Sequence, residues 1–230
     1  MGSAMSYLGS KAASGAYQAI IASMPPHDTY IETHLGSGII MKQKPLAMRS
    51  IGIDIDNQVI NRFGSMAGVE LYQADAMTFL CQFDYKTAGR VLIYSDPPYL
   101  HSTRTSRKRY RYEYSEADHI SLLRLLRELA FAGVSVILSG YPSSLYDELL
   151  LDWRTREFQV MSRGGVRTEK LWLSFAANSA HWATFAGNNF TDRQRIKRKA
   201  KRWAENYRML PAAERVAVLA ALLACDLSRE

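Results

Sequence analysis

The stretch best suited to chemistry is Asp96-Pro97-Pro98-Tyr99. Asp96 offers carboxylate oxygens as acceptors. Two consecutive prolines remove two backbone N–H donors and stiffen the turn, while their carbonyls still accept. Tyr99 adds a flat apolar face. Two acceptors beside a ring suit a planar group with an exocyclic NH2, and an adenine amino group has that shape. The same residues also suit a plain Pro-stiffened turn with a solvated carboxylate. The preceding run, Val91-Leu92-Ile93-Tyr94, reads as a buried parallel strand. Asp96 then sits at the carboxyl edge of a sheet, where open α/β folds bind ligands.

Three further strand patterns end in polar residues. Thr29–Glu32 reads as a strand, followed by His34-Leu35-Gly36-Ser37-Gly38 and a helix from Ile39. Strand, G-x-G, helix is half of a dinucleotide fingerprint, and its glycines let a ligand approach the backbone. The full GxGxxG and a Walker lysine are both absent, which disfavours phosphate binding. Ser50–Asp54 is a second strand, whose terminal acid could hold a ribose diol, with Asp56 competing for that role. Leu71–Asp75 is a third, where Asp75 either accepts from an adenine amino group or caps the helix beginning near Ala76. Upstream, Tyr7-Leu8-Gly9-Ser10-Lys11 is a Gly/Ser turn before a helical pattern that stops at Pro25-Pro26.

The remaining pattern completes a doubly wound sheet. Ser115 and Asp118 form a capping box for a helix with a wide leucine face. Val134–Leu138 is a fifth strand, and Ser144–Leu151 is helical. Phe158–Met161 and Lys170–Phe175 read as a terminal hairpin joined at Gly164-Gly165. From 177 onward the chain turns polar. A basic helix over Thr191–Tyr207 and a short helix after Pro211 follow, with Val216, Leu219, Ala220 and Leu223 on one face of the second. The expectation is a catalytic domain over 5–176 and a helical appendage over 177–230.

The chain has 230 residues and a formal net charge of +7, concentrated in two stretches. One holds Arg104, Arg107, Lys108, Arg109 and Arg111, interleaved with Tyr110, Tyr112 and Tyr114. The other holds Arg193, Arg195, Lys197, Arg198, Lys199, Lys201 and Arg202 without an acid. Cations neutralise phosphates and tyrosines stack on bases, so the first stretch reads as a substrate loop beside Asp96, or else as an exposed edge strand. The second reads as a solvated face or a polyanion surface. No apolar run is long enough to span a bilayer and no signal peptide is evident. Cys81 and Cys225 lack metal or redox spacing and are expected as buried small apolar groups in a reducing cytoplasm.

In this order the pieces resemble the S-adenosylmethionine-dependent DNA adenine-N6 methyltransferases of the D12 class, particularly phage and prophage forms. The likeness covers about residues 5–176. Tyr7–Lys11 resembles the N-terminal cofactor motif, and Glu32 through Gly38 the glycine motif that underlies the methionine part of the cofactor. Asp54 matches the ribose acid and Asp75 the residue near the cofactor adenine. Asp96–Tyr99 matches the catalytic motif, while Leu138–Tyr141 and Glu169–Trp172 resemble later segments.

The resemblance implies a Rossmann-like methyltransferase sheet, S-adenosylmethionine as cofactor, DNA as partner and no metal. It also implies direct methyl transfer to N6 of a flipped adenine. On it, Tyr7, Lys11, Glu32, Leu35, Gly36, Ser37, Gly38, Asp54, Asp75 and Asp96 face the cofactor. Asp96, Pro97, Pro98 and Tyr99 grip the base. Residues 104 and 107–112 contact DNA. Cytosine-N4 methylation uses the same amino-group geometry, and a catalytically silent nucleic-acid-binding module is the alternative outside enzymes. Two departures stand out. His34 occupies a position where the family often has Phe, and only 76–95 separate Asp75 from Asp96, too few for an inserted recognition domain.

Overall fold

The computed structural model describes residues 11, 15–103, 111–162, 165–177, 182, 185–187 and 189–227. Seven strands form one sheet. They are β1 (Thr29–Thr33), β2 (Arg49–Asp54), β3 (Val69–Gln73), β4 (Val91–Ser95), β5 (Ser135–Gly140), β6 (Arg154–Ser162) and β7 (Gly165–Leu173). Their order is β3-β2-β1-β4-β5-β7-β6. The first five run parallel, and β7 inserts antiparallel between β5 and β6. This is the expected Rossmann-like α/β sheet with its terminal hairpin. The hairpin strands are longer than the sequence pattern suggests, because cross-strand pairing continues through polar residues on both sides.

Alternation along the strands supplies two cores. Ile31, Ile51, Ile93, Val136 and Leu138 face one way. They meet α4 (Ala76–Gln82), α5 (Glu116–Phe131) and α6 (Ser144–Leu149) through Leu80, Leu122, Leu126 and Tyr146. Tyr30, Leu92, Tyr94, Ile137 and Leu171 face the other way. They meet α1 (Ala16–Ile21), α2 (Ile39–Gln43) and α3 (Asn57–Phe63) through Ile20, Ile21, Met41 and Val59. A parallel strand buried on both faces reads as a continuous apolar run, as β4 does. The capping box forms as expected: the Ser115 side chain accepts from the Asp118 N–H, and the Asp118 carboxylate accepts from the Ser115 N–H.

Three expectations need correction. Cys81 is exposed rather than buried. In α4, Ala76 and Leu80 point inward, and the next position lies about 100° round the helix from Leu80. β3 ends at Gln73, which leaves Asp75 beyond the strand as the cap of α4. The chain forms two compact units, 1–185 and 186–230, and Trp182 and Phe185 pack against the core of the first. The second unit, 186–230, contains α7 (Phe190–Met209) and α8 (Ala212–Leu227). α8 is a full 16-residue helix rather than a short one. Its apolar Val216, Leu219 and Leu223 are exposed.

Candidate active site

The strand order reverses between β1 and β4. Such a switch point splays the loops after the two strands and opens a crevice between them. Here a cleft of about 430 Å³ lies at that edge. β1 contributes Glu32, and the turn after it contributes Leu35, Gly36 and Ser37. The end of β2 brings Asp54, the α4 cap brings Asp75, and the turn after β4 brings Asp96, Pro97, Pro98 and Tyr99. Lys11, Arg111 and Tyr112 line it too. Among the residues expected from sequence, Tyr7, Arg104, Arg107, Lys108, Arg109 and Tyr110 lie outside the described residues.

Gly38 is not brought into the cleft lining. Its φ is +62°, and a Cβ there would collide with the Phe63 ring. A glycine is needed at this position to pack α2 against α3 and to turn the backbone left-handed. Gly36, with φ of 53°, is the glycine of the pair that lines the cleft.

Asp96 is held by one oxygen. Oδ1 accepts from the Ser139 hydroxyl at 2.7 Å and pairs with Lys11 Nζ at 3.0 Å. The Tyr94 hydroxyl lies 3.0 Å from Ser139 Oγ, and since that serine's proton is directed at Asp96, Tyr94 is the donor in this contact. Oδ2 has no protein partner among the described residues. Lys11 also reaches the Tyr99 hydroxyl and Glu169 Oε2, the latter at 3.2 Å, while Tyr99 donates to Glu169 Oε1 at 2.9 Å. Burial opposes the Lys11 ammonium, but Asp96 and Glu169 outweigh it and hold its pKa well above the ordinary value. Burial pushes Glu169 upward against the pull of Lys11. The ring of Tyr99 is thus fixed through its hydroxyl, with the Tyr141 ring centroid 4.3 Å away.

The cofactor-side acids differ in environment. Glu32, 3% exposed, accepts from the Tyr30 hydroxyl at 3.0 Å, and burial pushes its carboxyl up to about 8. Asp54 accepts from the Gly36 and Asp56 N–H groups at 3.0 and 2.9 Å, yet burial still raises its pKa. It therefore splints the glycine turn onto β2. Asp75 accepts from the Thr78 N–H at 2.8 Å, so the capping role is realised on a residue that also lines the cleft. Asp56 caps α3 and pairs with Arg111 at 3.3 Å. Arg111, expected on DNA, lines the cleft and makes this ion pair from a largely exposed side chain.

Neither Ser139 nor Glu169 carries a role that is legible in the sequence. Both sit on strands beyond β4, and no spacing signal connects them to Asp96. His34, likewise without a role legible in the sequence, lines the cleft, and its Nε2 lies 2.9 Å from the Tyr114 hydroxyl. Seven acids line the cleft (Glu32, Asp54, Asp56, Asp75, Asp96, Glu113 and Asp118) against Lys11 and Arg111. Such a lining favours a ligand carrying positive charge.

No protein-family profile matches the chain. No curated protein matches it either. Its fold is similar to solved structures at low identity. Precorrin-8W decarboxylase from Methanobacterium thermoautotrophicum is 15% identical over 69% of this chain and 89% of that one, with a TM-score of 0.46. The N-methyltransferase NodS from Bradyrhizobium japonicum WM9 is 10% identical over 68% and 88%, with a TM-score of 0.44. A putative O-methyltransferase from Klebsiella pneumoniae is 12% identical over 65% and 74%, with a TM-score of 0.44.

Proposed function

We propose that this protein transfers a methyl group from S-adenosylmethionine to the exocyclic N6 of adenine in DNA. The observation that carries this reading is the way Asp96 is held. Lys11 and Ser139 both engage Oδ1, which leaves Oδ2 of the same cleft-lining side chain as an acceptor. Two prolines without N–H donors follow, then a tyrosine ring pinned by its hydroxyl. This arrangement accepts N–H groups and presents a flat surface beside them.

The cleft fits the cofactor. S-adenosylmethionine carries an α-ammonium and a sulfonium, and acidic residues outnumber cations in the lining. Gly36 has no side chain to obstruct a close approach. Glu32 would receive the ammonium and Asp54 the ribose hydroxyls. The cofactor supplies an electrophilic methyl on sulfur.

The remaining work falls to the chain. Asp96 Oδ2 and the Pro97 carbonyl accept the two amino hydrogens and turn the nitrogen lone pair toward the methyl. Tyr99 holds the base plane. These fixed acceptors stabilise the positive charge that develops on nitrogen. Asp96 need not be a strong base, because the amine becomes acidic only as it acquires the methyl group, and its proton then leaves to solvent.

The test is incubation of the protein with labelled S-adenosylmethionine and unmethylated DNA, followed by nucleoside analysis. Label in N6-methyladenine is expected, and Asp96→Ala should reduce it by at least roughly a hundredfold while the protein still folds. Label in N4-methylcytosine would keep the chemistry and change the base. Cofactor binding without labelled nucleoside would remove DNA as substrate. A fully active Asp96→Ala would overturn the mechanism.

A further inference from the structure

α7 is 20 residues long, about 30 Å at 1.5 Å per residue, and none of its side chains is buried. Its cations are Arg193, Arg195, Lys197, Arg198, Lys199, Lys201, Arg202 and Arg208. Only two acids, Asp192 and Glu205, lie on the same helix. Asp192 pairs with Arg195 at 2.8 Å and Glu205 with Lys201 at 3.8 Å. Lys197, Arg198, Lys199 and Arg202 have no ion pair among the described residues and are exposed.

Helical spacing sorts these cations into two rows. Arg195, Arg198, Lys199 and Arg202 follow i, i+3, i+4, i+7. Arg193, Lys197 and Lys201 follow i, i+4, i+8 on the neighbouring side. Cations so closely set repel one another, and self-neutralisation inside the helix stops at two pairs. An external polyanion relieves that repulsion by replacing condensed counterions with fixed positive charge.

We propose that α7 is a docking surface for the phosphodiester backbone of duplex DNA, separate from the cleft and independent of base identity. A duplex is favoured over an anionic membrane by the pattern on the helix itself. A membrane-surface helix needs an apolar face opposite its cations. On α7 the apolar residues Ile196, Ala200, Trp203 and Tyr207 cover only about 60° of the helix circumference, too narrow for such a face, and cations take up both flanks and the far side. The surface adds to the proposed reading of the cleft: a base-directed site joined to a backbone-directed one gains effective concentration along the same polymer.

The experiment uses the full chain with Lys197→Gln, Arg198→Gln, Lys199→Gln and Arg202→Gln combined, since Gln retains helix propensity. Binding to a labelled duplex is measured across a salt series, with circular dichroism and Tm as folding controls. The slope of log K against log salt should fall by roughly 2–3, at about 0.9 per lost phosphate contact, and Kd at 0.1 M salt should rise at least roughly tenfold. kcat at saturating DNA should hold while KM for DNA rises.

A wild-type slope and Kd in the folded variant would overturn the proposal. So would loss of binding to phosphatidylglycerol vesicles with DNA binding unchanged. The binding readout needs no methyl transfer, so a lost slope in a protein that methylates nothing would sink the reading of the cleft and leave this surface standing.

Discussion

His34 and Tyr114 meet on the wall of the cleft, with imidazole Nε2 2.9 Å from the phenol oxygen. Nδ1 lies 3.0 Å from the Thr33 hydroxyl, so both ring nitrogens are engaged. His34 is also the one non-glycine among the described residues with a left-handed backbone, φ 58°. Its two side-chain contacts offset that backbone cost, which is of order 1 kcal/mol or more.

Desolvation lowers the His34 pKa from 6.5 to about 4, with Asp75 opposing. The unfolded chain therefore takes up this proton at higher pH than the folded one. The associated stability is complete above about 6.5 and is lost as pH falls toward 4. His34→Gln should flatten the dependence of Tm on pH across that window. An unchanged slope would mean that other groups carry the acid sensitivity.

Glu32 behaves in the opposite sense. Its pKa rises from 4.5 to about 8, chiefly through burial. The neutral acid suits the fold, so stability from this group is full below about 4.5 and is lost as pH rises through about 8. Glu32→Gln lacks this loss. Its Tm advantage over the parent should grow between pH 5 and pH 8.5, to roughly 8–16 °C. Binding of S-adenosylmethionine, followed by calorimetry, should weaken at least roughly tenfold. Retained affinity would remove Glu32 as the ammonium acceptor.

Lys11 holds Asp96 and Glu169 together from a site that is 4% exposed. Lys11→Met strands the buried Glu169 and the partly buried Asp96 without their shared cation and should cost roughly 3–5 kcal/mol in urea unfolding. Adding Glu169→Gln removes one of the stranded charges and should recover at least about half of that loss. Additive losses would show that the three groups do not act as a unit.

Gly38→Ala should destabilise by roughly 2–4 kcal/mol, from the left-handed φ together with overpacking against Phe63. Phe63→Ala placed in the same chain makes room for the new methyl. In that background the additional cost of Gly38→Ala should shrink to the backbone part alone, read from Tm.

Much of this protein is written locally in its chain. The apolar run Val91–Tyr94 specifies a two-sided buried strand, Ser115 and Asp118 specify a helix start, and Asp96 follows directly from the strand before it. Hydrophobic period and capping chemistry act over a few residues, so they can be read without the fold. The company Asp96 keeps could not. Ser139 and Lys11 reach it from 43 and 85 positions away, and Lys11 is 158 positions from Glu169. That convergence depends on β4 lying between β1 and β5 and on β7 inserting antiparallel beside β5. Strand order and register are set by the summed packing of both sheet faces, which no short window contains. For the same reason the contact between Gly38 and Phe63, and the exposure of Cys81 that follows from Leu80 pointing inward, depend on how the helices pack and not on any short window.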